Sequence, residues 1–359
     1  MARAPRVAEF FAGIGLVRKA LESEGFRIVF ANDIEPTKAV IYQANFDASD
    51  LVVGDVCAVR GRDVPDIDVA TASFPCTDLS LAGNRVGLAG KQSGMFWEFS
   101  RVLEEMGSRR PPVVMLENVP GFVTSRGGQD MRNALAKLAE LGYRCDVIPV
   151  DARWFVPQSR PRIFIVGSQR HDIASSPLPR RDHPVCAETL SAYVDRLSVE
   201  DPHWWPKDRL DCFLRSLSPI QSERVTKLRC ANFLNWATAY RRTRHGRAVW
   251  EVRPDSVSGC LRTARGGSSK QAVVETGHGE IRARWMRANE YARLQGAPDF
   301  RIEDVSENAA IFGFGDAVCV PAVAWVARTY LLPLLKEKFP PKRRRVTTKT
   351  CPAGMSLTT

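Results

Sequence analysis

No uninterrupted apolar run in this chain reaches the ~18 residues that a helix needs to cross a bilayer, which argues against a transmembrane span. Histidines are few, five in 359 residues. The nine cysteines are scattered, with no CxxC pair and no Cys/His group at zinc spacing. A structural metal is therefore not expected, nor is a disulfide framework; free thiols in a reducing cytoplasm fit better. The first residues, "MARAPRVAEFFAGIG", run straight into a strand pattern and lack a signal peptide's apolar region and cleavage site. No internal repeat is visible.

What is present is ordinary for a globular protein, with 44% hydrophobic and 25% charged residues. The length allows a large core in one domain or two. A formal charge of +11 points weakly to a polyanionic partner, but its distribution matters. From Lys336 onward there are seven Lys/Arg and one Glu, so that stretch supplies +6 and leaves the body at only +5. Charge alone does not establish nucleic-acid binding.

From Arg6 to about Ser168, short apolar runs alternate with helix-like segments: "RVAEFF", "RIVFAND", "LVVGDV", "IDVATASF", "PVVMLENV", "YRCDVIPV" and "RIFIVGS". This alternation predicts an α/β fold, a doubly wound and mostly parallel sheet. The pattern breaks over 169–284, which reads as a smaller, irregular domain or insertion rich in Pro, Trp, Arg and Ser. Helical periodicity returns over 285–335, a segment expected to complete the first domain, 1–168. Residues 336–359 read as a basic, disordered tail.

In a doubly wound sheet ligands sit at the carboxyl ends of the strands, and the chemistry-bearing residues fall there. Gly13 and Gly15 lie between a strand and a helix, where the backbone must turn tightly; a plain βα turn would use them equally well. The spacing is not the full GxGxxG, so a dinucleotide site is not indicated. Asp33 ends the second strand, where an acidic side chain can bond a ribose diol. Together these favour an adenosine-containing cofactor.

Cys76, in "SFPCTDLS", follows Pro75 at a strand end and precedes a long polar, glycine-rich stretch resembling a mobile loop. A lone cysteine is more often a buried core residue than a nucleophile, and local context only tilts the choice. Glu117 ends an apolar strand. Arg160 and Arg162 start another, on one face if extended, as a solvated entrance or as donors to an oxygen-rich ligand.

In this order the segments resemble the C5-cytosine DNA methyltransferase family, over about Arg6 to Leu335 apart from the irregular region. "FAGIG" resembles its cofactor motif, "SFPCTDLS" its Pro-Cys motif, "ENV" its glutamate motif and "QSRPR" its Gln-x-Arg-x-Arg motif. "RANEYARLQGAPDF" and "FGDAVCVPAV" are similar to its last two blocks. Six collinear matches are specific where any one alone is weak. The irregular region lies where the family carries its target-recognition domain.

The resemblance implies a Rossmann-like methyltransferase fold and transfer of a methyl group from S-adenosyl-L-methionine, leaving S-adenosyl-L-homocysteine, to C5 of a flipped cytosine. It assigns Cys76 as nucleophile at C6, Glu117 to N3 and the amino group, and Arg162 to O2, with Arg160 supporting them. On the cofactor side it assigns Phe11, Gly13, Gly15, Asp33, Ile34, Asp55, Pro75 and Asp316. The family often has Trp where this chain has Ile34, and Asn where it has Asp316, so the role of Asp316 stays open. Ser80, Asn84 and Arg85 are candidate DNA contacts in the loop after Cys76. Arg241, Arg242, Arg244, Arg265, Gly266 and Gly267 are candidates in the recognition region, although each could instead belong to a solvated basic loop.

The compact form implies a bacterial restriction-modification enzyme, monomeric and cytoplasmic at the nucleoid. Its partner is double-stranded DNA, and a cognate restriction endonuclease acting separately is compatible with it. The rival within the family is a tRNA cytosine methyltransferase, whose Cys-Phe-Thr motif does not occur here. A noncatalytic DNA-binding relative is the rival outside the enzyme class.

Overall fold

The apolar runs before residue 168 become one sheet. Its strands are β1 (Arg6–Phe10), β2 (Arg27–Asp33), β3 (Leu51–Val53), β4 (Val69–Ala72), β5 (Val113–Asn118), β6 (Arg144–Asp151) and β7 (Pro161–Ser168). This is the arrangement in a computed structural model that describes residues 3–75, 94–169, 184–244, 247–262 and 270–336. Helices connect the strands: α1 (Leu16–Ser23), α2 (Pro36–Asn45), α3 (Met95–Glu105), α4 (Gly121–Thr124) and α5 (Gln129–Glu140).

The strand order is β3-β2-β1-β4-β5-β7-β6. The first five are parallel, and β7 runs antiparallel to both β5 and β6. From β1 the chain winds outward to β2 and later to β4 on the other side, which opens a crevice at the carboxyl ends of β1 and β4.

The inner strands are buried on both faces, so they read as unbroken apolar runs rather than alternations. Their side chains nevertheless separate by the period of two. Val7, Val69, Val113 and Met115 join α1 and α2 in one core, while Ala8, Ala70, Val114 and Leu116 join α3 and α5 in the other. Phe10 packs on Phe30 and edge-on against Phe99 of α3. Burying each such ring contributes about 2–3 kcal/mol.

The stretch that looks irregular in sequence contains regular structure. It carries α6 (Lys207–Arg215), α7 (Pro219–Arg229) and a four-stranded antiparallel sheet. That sheet is β8 (Asn235–Arg244), β9 (Arg247–Arg253), β10 (Ala272–Gly277) and β11 (Glu280–Trp285), in the order β11-β10-β8-β9. On one face Ala237, Ala239 and Val274 pack with Trp205 and Phe213, while Trp236 and Val273 reach the main core. Small residues and terminal arginines in "NWATAYRRTR" hid this alternation.

The last helices, α8 (Ala288–Leu294), α9 (Glu307–Asp316), α10 (Val320–Val326) and α11 (Leu332–Lys336), return to the first core. Val323, Val326 and Tyr330 lie in one cluster with Val7 and Leu21. Among the described residues one helical stretch, Glu307–Leu335, is apolar and long enough to cross a membrane, and most of it is buried inside the fold. The root of α8 is held by a fully buried bidentate pair, Arg284 to Glu290 at 2.6 and 2.8 Å.

Candidate active site

Strand ends converge on one cleft because the sheet changes winding direction there. After β1 the backbone passes through left-handed φ values at Phe11 (59°), Gly13 (57°) and Gly15 (88°). For Phe11 this costs of order 1–2 kcal/mol, the kind of strain stored where a backbone must meet a ligand. Gly15 has a second constraint, since a Cβ would lie 2.5 Å from the Phe46 ring. It thus allows the start of α1 to sit against α2, and it does not itself line the cleft.

The turn is fixed by Asp33. Its Oδ2 accepts from the Gly13 amide at 2.7 Å and its Oδ1 from the Glu35 amide at 2.9 Å. Each carboxylate oxygen keeps acceptor capacity for a further donor. Asp55 accepts from the Cys57 amide at 2.9 Å. That bond and one from the Cys57 thiol hold its carboxyl below the usual range, so it stays an acceptor at neutral pH.

The cleft encloses about 700 Å³ and is lined by Phe11, Gly13, Asp33, Ile34, Asp55, Pro75, Glu117, Arg162 and Asp316. Ile34 is 59% exposed, an apolar side chain offered to the cleft rather than to the core. Asp316, at the end of α9, is paired across the cleft with Lys38 of α2 at 2.9 Å. Lys38 lines the same space, and nothing about a lysine in the first turn of a helix announces a site.

At the other end Arg162 Nε meets Glu117 Oε1 at 2.8 Å. The antiparallel insertion of β7 explains the contact. It brings the start of β7 to the carboxyl end of β5, where Glu117 lies opposite Phe164 and Arg162 is its diagonal neighbour on the same face. Asn118, also lining the cleft, donates to the Phe74 carbonyl at 3.3 Å and so ties β5 to the segment that leads into Pro75.

Arg160 does not share this position. It precedes β7, is 2% exposed, and gives its guanidinium to backbone: the Leu261 carbonyl at 2.6 Å, the Gly315 carbonyl at 3.0 Å and the Ala317 carbonyl. It lies outside the cleft lining, in a positioning place. Beside it, Arg160 and Arg162 draw the Cys260 thiol down against the upward push of burial.

Cys76, Ser80, Asn84, Arg85, Arg265, Gly266 and Gly267 lie outside the described residues, as does the side chain of Arg244. Arg241 and Arg242 are exposed on β8. Arg242 is partly engaged, stacked on Tyr240 and 3.3 Å from Glu251. Among the described residues no group of His, Cys, Asp and Glu is arranged to hold a metal ion.

Comparison with known proteins places this geometry. The family model for C-5 cytosine-specific DNA methylase matches residues 5–331. A type II methyltransferase of Neisseria lactamica, M.NlaX, is 28% identical over 327 residues, covering 90% of this chain and 95% of that protein. M.Bsp6I of a Bacillus species is 28% identical over 333 residues, covering 90% and 97%. The crystal structure of S. pombe Dnmt2 methyltransferase superposes with a TM-score of 0.64 at 19% identity, covering 92% of this chain and 99% of that one, and so shares the fold. With a family match over nearly its whole length, the chain belongs to the C-5 cytosine-specific DNA methylases and is a DNA cytosine-5 methyltransferase.

Proposed function

We propose that the chain transfers a methyl group from S-adenosylmethionine to C5 of a cytosine flipped out of a specific duplex sequence, through a covalent Cys76–C6 adduct. The observation that carries this reading is the Glu117–Arg162 pair opening into the same cleft as Asp33, Asp55 and Pro75. One cavity thus offers a donor-acceptor pair for a base and an adenosine-like recess beside it.

The recess fits the cofactor by its chemistry. Asp33 retains acceptor capacity for ribose hydroxyls, and the ionised Asp55 suits an exocyclic amine. The exposed Ile34 supplies an apolar face for a purine ring. When bound, the cofactor supplies an electrophilic methyl on a sulfonium sulfur.

Carbon C5 of cytosine is a poor nucleophile. In this reading the Cys76 thiolate adds to C6, and the electrons displaced from the ring double bond load N3 and O2. Arg162 holds O2, and Glu117, carrying or sharing a proton at N3, stabilises the developing charge. C5 then takes the methyl, a base removes the C5 proton, and the returning electrons expel the thiol. Ser80, Asn84 and Arg85 and the recognition-region residues Arg241, Arg242, Arg244, Arg265, Gly266 and Gly267 would meet the DNA, with most of the affinity from phosphates. The reading is that of a bacterial restriction-modification enzyme working at the nucleoid.

Trapping tests it. In DNA substituted with 5-fluorocytosine the last step cannot release a proton, so the thioether should persist. Incubation with cofactor should yield a denaturant-stable protein–DNA adduct that Cys76→Ala loses. Adduct formed equally by Cys76→Ala, or only with tRNA, would count against the reading.

A further inference from the structure

A buried cation beside the cleft lacks the partner that burial calls for. Among the described residues the Arg160 guanidinium donates to three carbonyls and to the Cys260 sulfur, and to no carboxylate. A guanidinium taken out of water needs a counter-charge as well as acceptors. Burial and the neighbouring Arg162 disfavour its charge. Of the groups that favour it, Cys260 comes first, ahead of Glu117 and Cys319.

Cys260 is half-buried and its sulfur is reached by two arginines. Arg160 Nη1 lies 3.5 Å from it, and the Arg162 side chain donates to the same atom. Burial pushes the thiol up, but the charges of Arg160, Arg162 and Arg262, with the hydrogen bond from Arg162, bring it below its ordinary value. A sulfur that accepts from two guanidinium groups is matched best as a thiolate.

The backbone fixes where that sulfur sits. Ser258 donates to the Pro157 carbonyl at 2.7 Å and Ser159 to the Ser258 carbonyl at 2.9 Å, so the approach to Arg160 runs parallel to the stretch that carries Cys260. Gly259 donates to Thr238 Oγ1 at 3.2 Å, and the Leu261 amide to Gln158 at 3.4 Å. The Cys260 carbonyl accepts from Gln271 at 3.4 Å. Each residue from Ser258 to Leu261 is thus tied to another part of the fold.

Arg162 has its Nε on Glu117 at 2.8 Å and its Nη1 turned back to the Pro161 carbonyl at 2.9 Å. A second acceptor of negative character, on a different element, limits the rotation that one carboxylate contact leaves to a planar fork. Cys260 is not among the residues that line the cleft, so it acts through Arg162. We propose that Cys260 is a positioning residue for methyl transfer, whose sulfur holds the Arg162 guanidinium in the orientation that meets the target base. The inference rests on the function proposed above.

Single-turnover methyl transfer to plasmid DNA from a host without cytosine methylation tests it, with S-adenosylhomocysteine affinity read by calorimetry. Cys260→Ala should slow transfer by about ten- to a hundredfold, the range for a lost hydrogen bond to a charged group. The affinity should stay within about twofold. Cys260→Asp places a carboxylate of similar size between the same guanidinium groups, and should recover transfer to within about threefold of the wild type. A packing role alone predicts the reverse order, because alanine leaves only a small void while an unneeded carboxylate is destabilising. If Cys260→Ala does not fold, Cys260→Ser takes its place, with the volume kept and the anion lost. The inference is overturned if the Ala or Ser variant transfers at the wild-type rate, or if its affinity falls as far as its rate. It is overturned equally if Cys260→Asp is unfolded or as slow as Cys260→Ala. A wild type that transfers no methyl group to DNA overturns the function proposed above, and the inference falls with it.

Discussion

Replacing Glu9 with Gln should stabilise the protein at neutral pH and flatten its stability profile. Glu9 lies on β1, is 1% exposed, and neither carboxyl oxygen has a hydrogen-bond partner. Burial pushes its pKa from 4.5 up to about 8; the charge and the main-chain N–H of Arg18 pull it back, and Asp33 and Glu22 add to the rise. The folded chain thus holds this proton more tightly than the unfolded one. The stability tied to it is complete below 4.5 and is lost as pH rises to about 8.

Within that window one proton's linkage is about 1.4 kcal/mol per pH unit. Over the whole window the ceiling is about 5 kcal/mol, and local relaxation or water entry lowers it. Urea unfolding of wild type and Glu9→Gln should be compared at about pH 5.5 and about pH 7.5. The gap between the two proteins should shift by about 2–3 kcal/mol in favour of the variant at the higher pH. Parallel profiles, within about 0.5 kcal/mol, would refute the account of a proton held by burial.

Arg162→Lys should lower kcat by about a hundredfold or more, because the second guanidinium donor is lost, while S-adenosylhomocysteine affinity stays within about twofold by calorimetry. Gly15→Ala meets both a φ of 88° and the Phe46 ring at 2.5 Å, and should cost about 2–4 kcal/mol in urea unfolding. Glu290→Gln leaves the fully buried Arg284 cation without its carboxylate and should cost about 3–5 kcal/mol, read by the shift in melting temperature.

Much of the cleft is legible from strand ends. Phe11, Asp33, Pro75 and Glu117 follow apolar runs, and a parallel sheet places such positions along one edge whatever the order of its strands. The order itself is a long-range property. That β7 enters antiparallel between β5 and β6, which brings Arg162 to Glu117, is written in no local pattern. Arg160 and Arg162 look equivalent in "QSRPR", yet one is buried on carbonyls roughly a hundred residues or more away and the other faces the cleft. The antiparallel sheet of β8 to β11 was hidden for a different reason. Its central strand β8 buries alanines on one face and ends in arginines, so it lacks the aliphatic run that marks a strand. Lys38 carried no signal, since its partner Asp316 is known only once α2 and α9 are in place.

Expression of the chain in a host without cytosine methylation, followed by bisulfite sequencing of the genome, tests whether the chain methylates cytosine in DNA through Cys76. Near-complete 5-methylcytosine is expected at one short sequence motif, and none with Cys76→Ala. A genome without methylated cytosine in the presence of folded protein, or methylation that survives Cys76→Ala, would contradict it.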